Sequence, residues 1–185
     1  MKVVLASQSP RRKELLGRLL PEFEIHSADI DETPFDEEDP KKYVQRMAAE
    51  KAAIVKKRYK PDVLVIASDT TVVFEQEILG KPVDEKEAKA MLQKLSGATH
   101  EVYTAVMLTK GTHEEPLLTQ ASVTFYPLTD VDIETYLATG DYADKAGAYG
   151  IQSFAGAFVK EIKGDYYSIV GFPIGAVYQA LKKIK

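Results

Sequence analysis

Cysteine is absent from the 185 residues of this chain. Its absence excludes disulfide bonds and any reaction that depends on a thiolate, and it favours a reducing, cytoplasmic setting. No apolar run approaches the ~20 residues that a membrane-spanning helix requires, so we expect no membrane partner. The opening stretch "MKVVLAS" is too short for a secretory signal and leads directly into charged residues. These features predict a soluble cytoplasmic protein.

A basic surplus and the common phosphate-loop patterns are missing as well. The net charge is −4, whereas broad attachment to DNA or RNA usually requires an excess of basic residues, so we expect no nucleic-acid partner. Neither GxxxxGK[ST] nor GxGxxG occurs, and the histidines are not spaced like a metal motif. We therefore interpret His26, His100 and His113 as ordinary surface or strand-end residues rather than ligands.

The spacing of apolar residues predicts an α/β fold in one domain over residues 1–185. We expect a long twisted mixed β-sheet with helices at its faces and ends. Predicted strands cover 2–6, 23–28 and 62–75, followed by a hairpin of 99–110 and 116–128 that is closed by 111–115. Predicted helices cover 10–20, 40–60, 84–97, 129–140 and 174–184. The glycine-rich stretch 146–173 is expected to be strand-like.

Three cations crowd the first turn of the first predicted helix. The stretch "SPRRK" at 9–13 is typical of a helix start. It nevertheless places Arg11, Arg12 and Lys13 where the helix dipole is already positive. One interpretation is a solvated basic turn. The other, which we favour, is an anion site in which backbone N–H groups and serine hydroxyls, including that of Ser7, hold a phosphate between two arginines.

A carboxylate interrupts the most strongly apolar strand. Asp69 lies within "SDTTVVF", and burying it costs several kcal/mol unless it is paired, hydrogen-bonded or bound to a metal. It could bond the backbone at a bulge, or serve as a metal ligand or general base. Most acids of the loop 29–40 are expected to be solvated, with Asp36 to Asp39 among them, and only those nearest the preceding strand to be held in place. One of Asp29, Asp31 and Glu32, together with Asp69, would suffice for a hard cation such as Mg²⁺.

Two lysines complete the candidate site. Lys51 lies on a predicted helix among alanines, where a lysine is usually exposed, and Lys81 lies between glycine and proline on a tight turn. No serine has an evident histidine partner, so the chain offers no activated nucleophile. Several cations with two or three acids suit metal-assisted attack of water on a phosphate ester or anhydride better than acyl transfer.

Seven short motifs, in order and in register, resemble the Maf family of nucleotide pyrophosphatases, which are distant relatives of the inosine triphosphate pyrophosphatases. The motifs are "LASQSPRRKELL", "DET", "AAEKA", "SDTTV", "LGKP", "LSG-TH-V-TAV" and "KAGAYGIQ". The resemblance covers essentially the whole chain. It implies an active-site cleft between two lobes, a divalent cation (Mg²⁺ or Mn²⁺), and hydrolysis of a nucleoside triphosphate to the monophosphate and pyrophosphate. A homodimer is typical of similar proteins.

The same resemblance assigns roles to residues of this chain. Asp69 would be the general base and also touch the metal, and Glu32 would be a metal ligand. The triphosphate would be held by Ser7, Arg11, Arg12, Lys51 and Lys81. Arg12, Thr70 and Gln152 match three specificity positions of the branch that prefers dTTP and UTP. An amide at Gln152 can read O4 and N3–H of thymine or uracil, although an exposed amide at a turn is an equal alternative on the residues alone.

Two other classes of function remain open at this point. One is a non-catalytic regulator of cell division or septum formation that binds a nucleotide and returns it intact. The other is a nucleic-acid-binding module that uses the basic turn, which the net negative charge disfavours. For the enzyme, we expect Arg11→Ala and Arg12→Ala to cripple turnover without destabilising the protein. Lys13 is expected to be solvated.

Overall fold

Over residues 1–184, which the computed structural model describes, the chain folds around a seven-stranded mixed sheet. The strands are β1 (Val3–Leu5), β2 (Glu24–Ile25), β3 (Leu64–Phe74), β4 (Glu77–Leu79), β5 (Thr99–Lys110), β6 (His113–Phe125) and β7 (Val159–Gly164). The order across the sheet is β2-β1-β3-β5-β6-β7, with β4 beside β3. The predicted α/β class and the central place of the "SDTTVVF" strand are confirmed.

Six helices flank the sheet in this part of the chain. They are α1 (Pro10–Gly17), α2 (Pro40–Lys56), α3 (Glu85–Leu95), α4 (Asp130–Leu137), α5 (Tyr166–Val170) and α6 (Ile174–Leu181). Local chemistry explains where most of them begin, because the side chain before the first residue accepts a backbone N–H of the first turn. The residues that do so are Ser9, Asp39, Asp84, Thr129 and Asp165. None of the described helices is long and apolar enough to cross a membrane.

Strand pairing leaves a gap beside β3, and this gap positions the cleft. β1 runs parallel to β3 and pairs with residues 64–66, whereas β4 runs antiparallel and pairs with residues 72–74. On that edge, residues 67–71 have no strand partner among the described residues. On the other edge, β5 pairs with β3 without interruption from 65 to 73. The centre of β3 is therefore rigidly held on one side and open on the other.

Apolar clusters cover both faces of the sheet: α2 packs on one face, and two clusters share the other. One cluster packs α1, α5 and α6 against the β1 end of the sheet, and a second packs α3, α4 and the segment 146–158 against the other end. Leu15 and Leu16 are buried in α1 as the helical spacing predicts. Leu19 and Leu20 pack beside them from the turn that follows the helix, because α1 ends at Gly17 rather than at 20.

Two sequence predictions were wrong in detail. The stretch 146–173 is strand only over β7, and the remainder forms 3₁₀ turns at Ala146–Ala148 and Phe154–Phe158 followed by α5. Its glycines serve close packing instead: Gly147 has φ +69°, and a Cβ there would lie 2.9 Å from Val72. The hairpin closes at residues 111–112 rather than 111–115, because β6 begins at His113 and pairs with Lys110.

Candidate active site

A cleft of about 640 Å³ opens beside the unpaired stretch of β3. The residues around it come from the N-terminus of α1, the acidic loop before α2, the centre of β3 and the segment 143–152. All nine residues assigned to the site from the sequence contribute to its wall. They are Ser7, Arg11, Arg12, Glu32, Lys51, Asp69, Thr70, Lys81 and Gln152. Residues more than a hundred positions apart thus meet in one concavity.

The basic first turn of α1 forms one wall, and its two arginines are held differently. Arg12 donates from Nε to the carbonyl oxygen of Gly171 at 2.9 Å and from Nη2 to Thr70 Oγ1 at 3.3 Å. Burial lowers its pKa, and the negative charge of Asp69 opposes that shift. Arg11 is half-buried and has no hydrogen-bond or ion-pair partner among residues 1–184. Arg11 is therefore free to meet a ligand, whereas Arg12 presents only its remaining N–H groups.

An ion triad with two buried members forms another part of the wall. Lys51 Nζ lies 2.6 Å from Asp69 Oδ1 and 2.6 Å from Glu32 Oε1. Lys51 is 7% exposed and Asp69 is 9% exposed, so neither would tolerate the loss of its partner charge. Lys81 Nζ approaches the same carboxylate at 3.8 Å from Glu32 Oε2 and remains exposed. The expectation that a lysine among alanines faces solvent is wrong for Lys51, because α2 packs that face against β3.

Electrostatics keeps Glu32 ionised. Its partial burial would raise the pKa of the carboxyl, but the hydrogen bond and charge of Lys51, with the charge of Lys81, outweigh burial and lower it. The backbone at this position is held as well, since the Tyr43 hydroxyl donates to the Glu32 carbonyl oxygen at 2.8 Å. Burial beside Asp69 and Glu32 raises the pKa of Tyr43 to about 12. Glu32 is thus held in place by its partners, while its side chain stays partly exposed to solvent.

Glu32 and Asp69, the two carboxylates that pair with Lys51, form a donor set that suits a hard divalent metal. Such an ion typically uses one or two protein carboxylates and completes its coordination with water and substrate phosphates. Within residues 1–184 no group of three or more His, Cys, Asp or Glu side chains could enclose a metal. Glu32 and Asp69 therefore fit a metal that is held jointly with a phosphate ligand, and they do not form a closed structural site.

The wall that carries Gln152 is fixed by a separate polar cluster. Asp141 accepts from the Tyr136 hydroxyl at 2.8 Å and from Ser153, and these bonds lower its pKa despite its partial burial. The Gly150 N–H donates to the Tyr136 hydroxyl at 3.3 Å. Gln152 itself is exposed at the rim of the cleft and has no partner among the described side chains. Its amide is available to a ligand.

Sequence reasoning missed several residues that shape this site. Gly171 supplies the carbonyl that orients Arg12, and its φ of +111° is one that glycine adopts readily. The only local signal is a glycine before "FP", which is typical of a helix end. Thr104 lies beside Thr70 on the neighbouring strand β5, and Lys145 and Tyr149 contribute to the cleft wall. These residues come from segments that adjoin the site only in the folded chain.

The fold and the cleft together define the class of this molecule: an α/β protein whose cleft places basic side chains beside two carboxylates. More particularly, the chain belongs to the Maf family, since the model of the family described as "Maf-like protein" matches residues 2–184. This confirms the family resemblance.

Comparison with known proteins adds relatives and a structural neighbour. The chain is 46% identical to the dTTP/UTP pyrophosphatase of Lacticaseibacillus casei, over 97% of each chain. It is 48% identical to the dTTP/UTP pyrophosphatase of Shewanella oneidensis, over 99% of this chain and 98% of that protein. The Ham1 protein of Staphylococcus aureus superposes over 100% of both chains with a TM-score of 0.57 at 13% identity. That neighbour supports the predicted fold alone.

Proposed function

We propose that this protein hydrolyses dTTP and UTP to the nucleoside monophosphate and pyrophosphate. The observation that carries the proposal is that one cleft is lined both by the ion triad of Asp69, Lys51 and Glu32 and by the basic turn of α1. The names of the full-length relatives support the same reaction and the same pyrimidine substrates. A role in removing surplus or modified pyrimidine triphosphates in the cytoplasm follows from that chemistry, with no nucleic acid or membrane required.

The proposed binding step uses the cations that lack strong internal partners. Arg11 and Lys81 meet the phosphates, and Arg12 donates its remaining N–H groups from a fixed position. The hydroxyl of Ser7 and the N-terminus of α1 add uncharged donors beside them. Several cations are needed because both the reacting phosphate and the pyrophosphate leaving group carry negative charge. The same ligand relieves the repulsion that the basic turn suffers alone.

The proposed chemical step is in-line attack of water at the α-phosphorus. Asp69 takes the proton from the attacking water as the new P–O bond forms and the bond to pyrophosphate breaks. Lys51 holds Asp69 and Glu32 in place and offsets their charge. Glu32 and Asp69 would hold a Mg²⁺ or Mn²⁺ ion, which when bound supplies positive charge to the reacting phosphates. Thr70, Gln152 and Arg12 would distinguish the base.

Pyrophosphate release is the test. Purified protein with dTTP and Mg²⁺ or Mn²⁺ is expected to yield pyrophosphate, and Asp69→Asn to lower the rate at least about 10²-fold because general-base catalysis is lost. The matched control is Asp62→Asn, an exposed aspartate just before β3, which should retain the wild-type rate. Release of orthophosphate would show that a different bond is cleaved. Recovery of intact dTTP would favour a nucleotide-binding regulator instead.

A further inference from the structure

A line of hydroxyl groups leads from the cleft into the sheet. Thr70 of β3 pairs in register with Thr104 of β5, and their Oγ1 atoms lie 2.9 Å apart. Thr70 is half-buried at the cleft wall, whereas Thr104 is fully buried. Thr104 Oγ1 also lies 2.7 Å from the carbonyl oxygen of Ser168 on α5. Thr104 touches no ligand, yet it contacts a residue that would.

Counting hydrogens fixes the direction of these bonds. A threonine hydroxyl has one hydrogen and two lone pairs, and a carbonyl oxygen can only accept. The hydrogen of Thr104 is therefore donated to Ser168, because two oxygens 2.7 Å apart require a hydrogen between them. Thr104 must then accept from Thr70, which donates its own hydrogen inward.

The consequence for the cleft is that Thr70 has no hydrogen left to donate. Its oxygen accepts from Arg12 Nη2 at 3.3 Å, which is consistent with that direction. One lone pair of Thr70 remains for a ligand. A hydroxyl that normally acts as donor or acceptor is thereby restricted to an acceptor.

We propose that Thr104 is a positioning residue for base selection, acting by taking the hydroxyl hydrogen of Thr70. The inference rests on the proposed function and deepens it. Thymine and uracil carry a hydrogen on N3, which an acceptor at Thr70 can receive, whereas cytosine presents a lone pair at N3 and would be repelled. Gln152 is then left to donate its amide hydrogen to O4, rather than reading both atoms as the sequence alone suggested.

The test compares selectivity rather than rate. Thr104→Val keeps the shape of the side chain but removes the hydroxyl, so that Thr70 becomes free to donate into the cleft. The ratio of kcat/KM for UTP to kcat/KM for CTP should fall about tenfold, the weight of one mispaired hydrogen bond. Thr104→Ser retains the hydroxyl and should keep the ratio within about twofold of the wild type. A purely structural role would lower kcat/KM for both substrates and leave the ratio unchanged.

Each outcome decides the inference. If folded Thr104→Val keeps the wild-type ratio of kcat/KM for UTP to that for CTP, the role of Thr104 is overturned, while the proposed pyrophosphatase activity stands. A wild-type ratio near one has the same consequence. If the valine variant does not fold, Thr104→Ala replaces it under the same criterion, since its smaller side chain leaves space for water at the Ser168 carbonyl. A wild-type protein that releases no pyrophosphate from UTP overturns the proposed function and this inference together.

Discussion

At the scale of single residues, neighbouring arginines on one turn perform different tasks. Arg12 is bound to Gly171, 159 positions away in the chain, and to Thr70 on the central strand. It therefore ties the N-terminus of α1 to two distant segments before any ligand arrives. Arg11 has no such bonds within residues 1–184, and its positive charge repels that of Arg12. The same motif thus contains one arginine that is bonded to the fold and one whose side chain has no internal hydrogen bond among the described residues.

This difference changes the expected effect of the two alanine variants. Arg11→Ala should slow pyrophosphate release while leaving the melting temperature equal or slightly higher, because it removes repulsion. Arg12→Ala should slow release and also lower stability by about 1–3 kcal/mol, since it leaves the Gly171 carbonyl with one donor fewer. Thermal unfolding and steady-state kinetics of both variants measure this.

The control for the arginine pair is Lys13→Ala. Lys13 is exposed on the same turn, so its loss should change neither activity nor stability appreciably. Equal melting temperatures for the two arginine variants would contradict the assignment. The expectation that neither arginine contributes to stability is therefore revised for Arg12, whose bonds to Gly171 and Thr70 an alanine would remove; for Arg11 it stays a prediction.

The residues that stand out without the family resemblance share one property: their type conflicts with their local context. Asp69 stands out because a carboxylate in an apolar strand needs a partner, and the basic turn because it opposes the helix dipole. Thr104 and Gly171 conflict with nothing nearby, and their contacts come from remote segments. The burial of Lys51 could not be predicted, because flanking alanines suit both an exposed and a closely packed helix face.

At the scale of elements, α2 organises the acidic loop that precedes it. Arg46 of this helix contacts Glu38 at 2.8 and 2.7 Å, donates to the Thr33 carbonyl at 3.1 Å, and stacks on Phe35 at 3.9 Å. The same helix holds Glu32 through Tyr43 and Lys51. A stretch that composition describes only as a solvated acidic loop is therefore fixed at several points.

The Arg46–Glu38 pair predicts a pH-dependent contribution to stability. Its hydrogen bonds lower the pKa of Glu38 from 4.5 to about 2. A depressed carboxyl pKa stabilises the fold above the unfolded value, and this contribution disappears as pH falls from about 4.5 through about 2. Glu38→Gln should therefore melt below the wild type at pH 6, and the difference should close as pH approaches 2.

Glu37→Gln is the matched control for this loop, because Glu37 is an exposed neighbour without a hydrogen-bond or ion-pair partner in the described chain. It should follow the wild type at every pH. A Glu38→Gln difference that persists unchanged down to pH 2 would show that lost packing, not the ion pair, is responsible.

Helices and strands could be predicted where the periodic pattern of apolar residues extends over many positions, as in β3, α2 and β5. The region 146–173 was not, because its runs are short and its glycines meet tertiary constraints. Gly147 packs against Val72, and its N–H donates to the Gly80 carbonyl at 3.1 Å. No periodicity within the segment contains that information. The tertiary contacts that close the cleft wall override the strand propensity of this segment.

At the scale of the whole molecule, the site depends on how strands of unequal length meet. β1 and β4 are three residues each and border β3 at its two ends, whereas β5 spans the centre. The resulting gap lets side chains from both faces of β3 reach one cleft, because the adjacent residues Asp69 and Thr70 point to opposite faces of the sheet. Strand lengths are partly readable from sequence, but their order across the sheet is not, so the cleft itself was expected only from family resemblance.

The core beneath this cleft contains one titratable ring whose burial should make the protein sensitive to acid. His100 is fully buried; its Nε2 lies 2.7 Å from the Tyr149 hydroxyl, and its Nδ1 has no partner among the described residues. Phe125 and Tyr149 pack edge-on against it. It is a strand-end residue of β5, as expected, but not a surface one. Desolvation lowers its pKa from 6.5 to about 4.

Folding must therefore weaken as pH falls. Between these two values the unfolded chain binds a proton at His100 that the native state excludes, so the contribution of His100 to native stability is complete above pH 6.5 and declines towards pH 4. At pH 5 this single residue should cost about 2 kcal/mol relative to pH 7.5. Denaturant unfolding of wild type and His100→Gln at both pH values isolates the effect, because the carboxyl groups titrate alike in both proteins.

We expect His100→Gln to be less stable than the wild type at pH 7.5, where the ring packs well, but to lose less stability on acidification. His113→Gln, at the exposed start of β6, should retain the wild-type dependence on pH. If wild type and His100→Gln lost the same free energy between pH 7.5 and 5, the ring would be protonated within the fold. The aromatic core would then have to admit water or a counter-charge beside β5, contrary to the packing of Phe125 and Tyr149 around it.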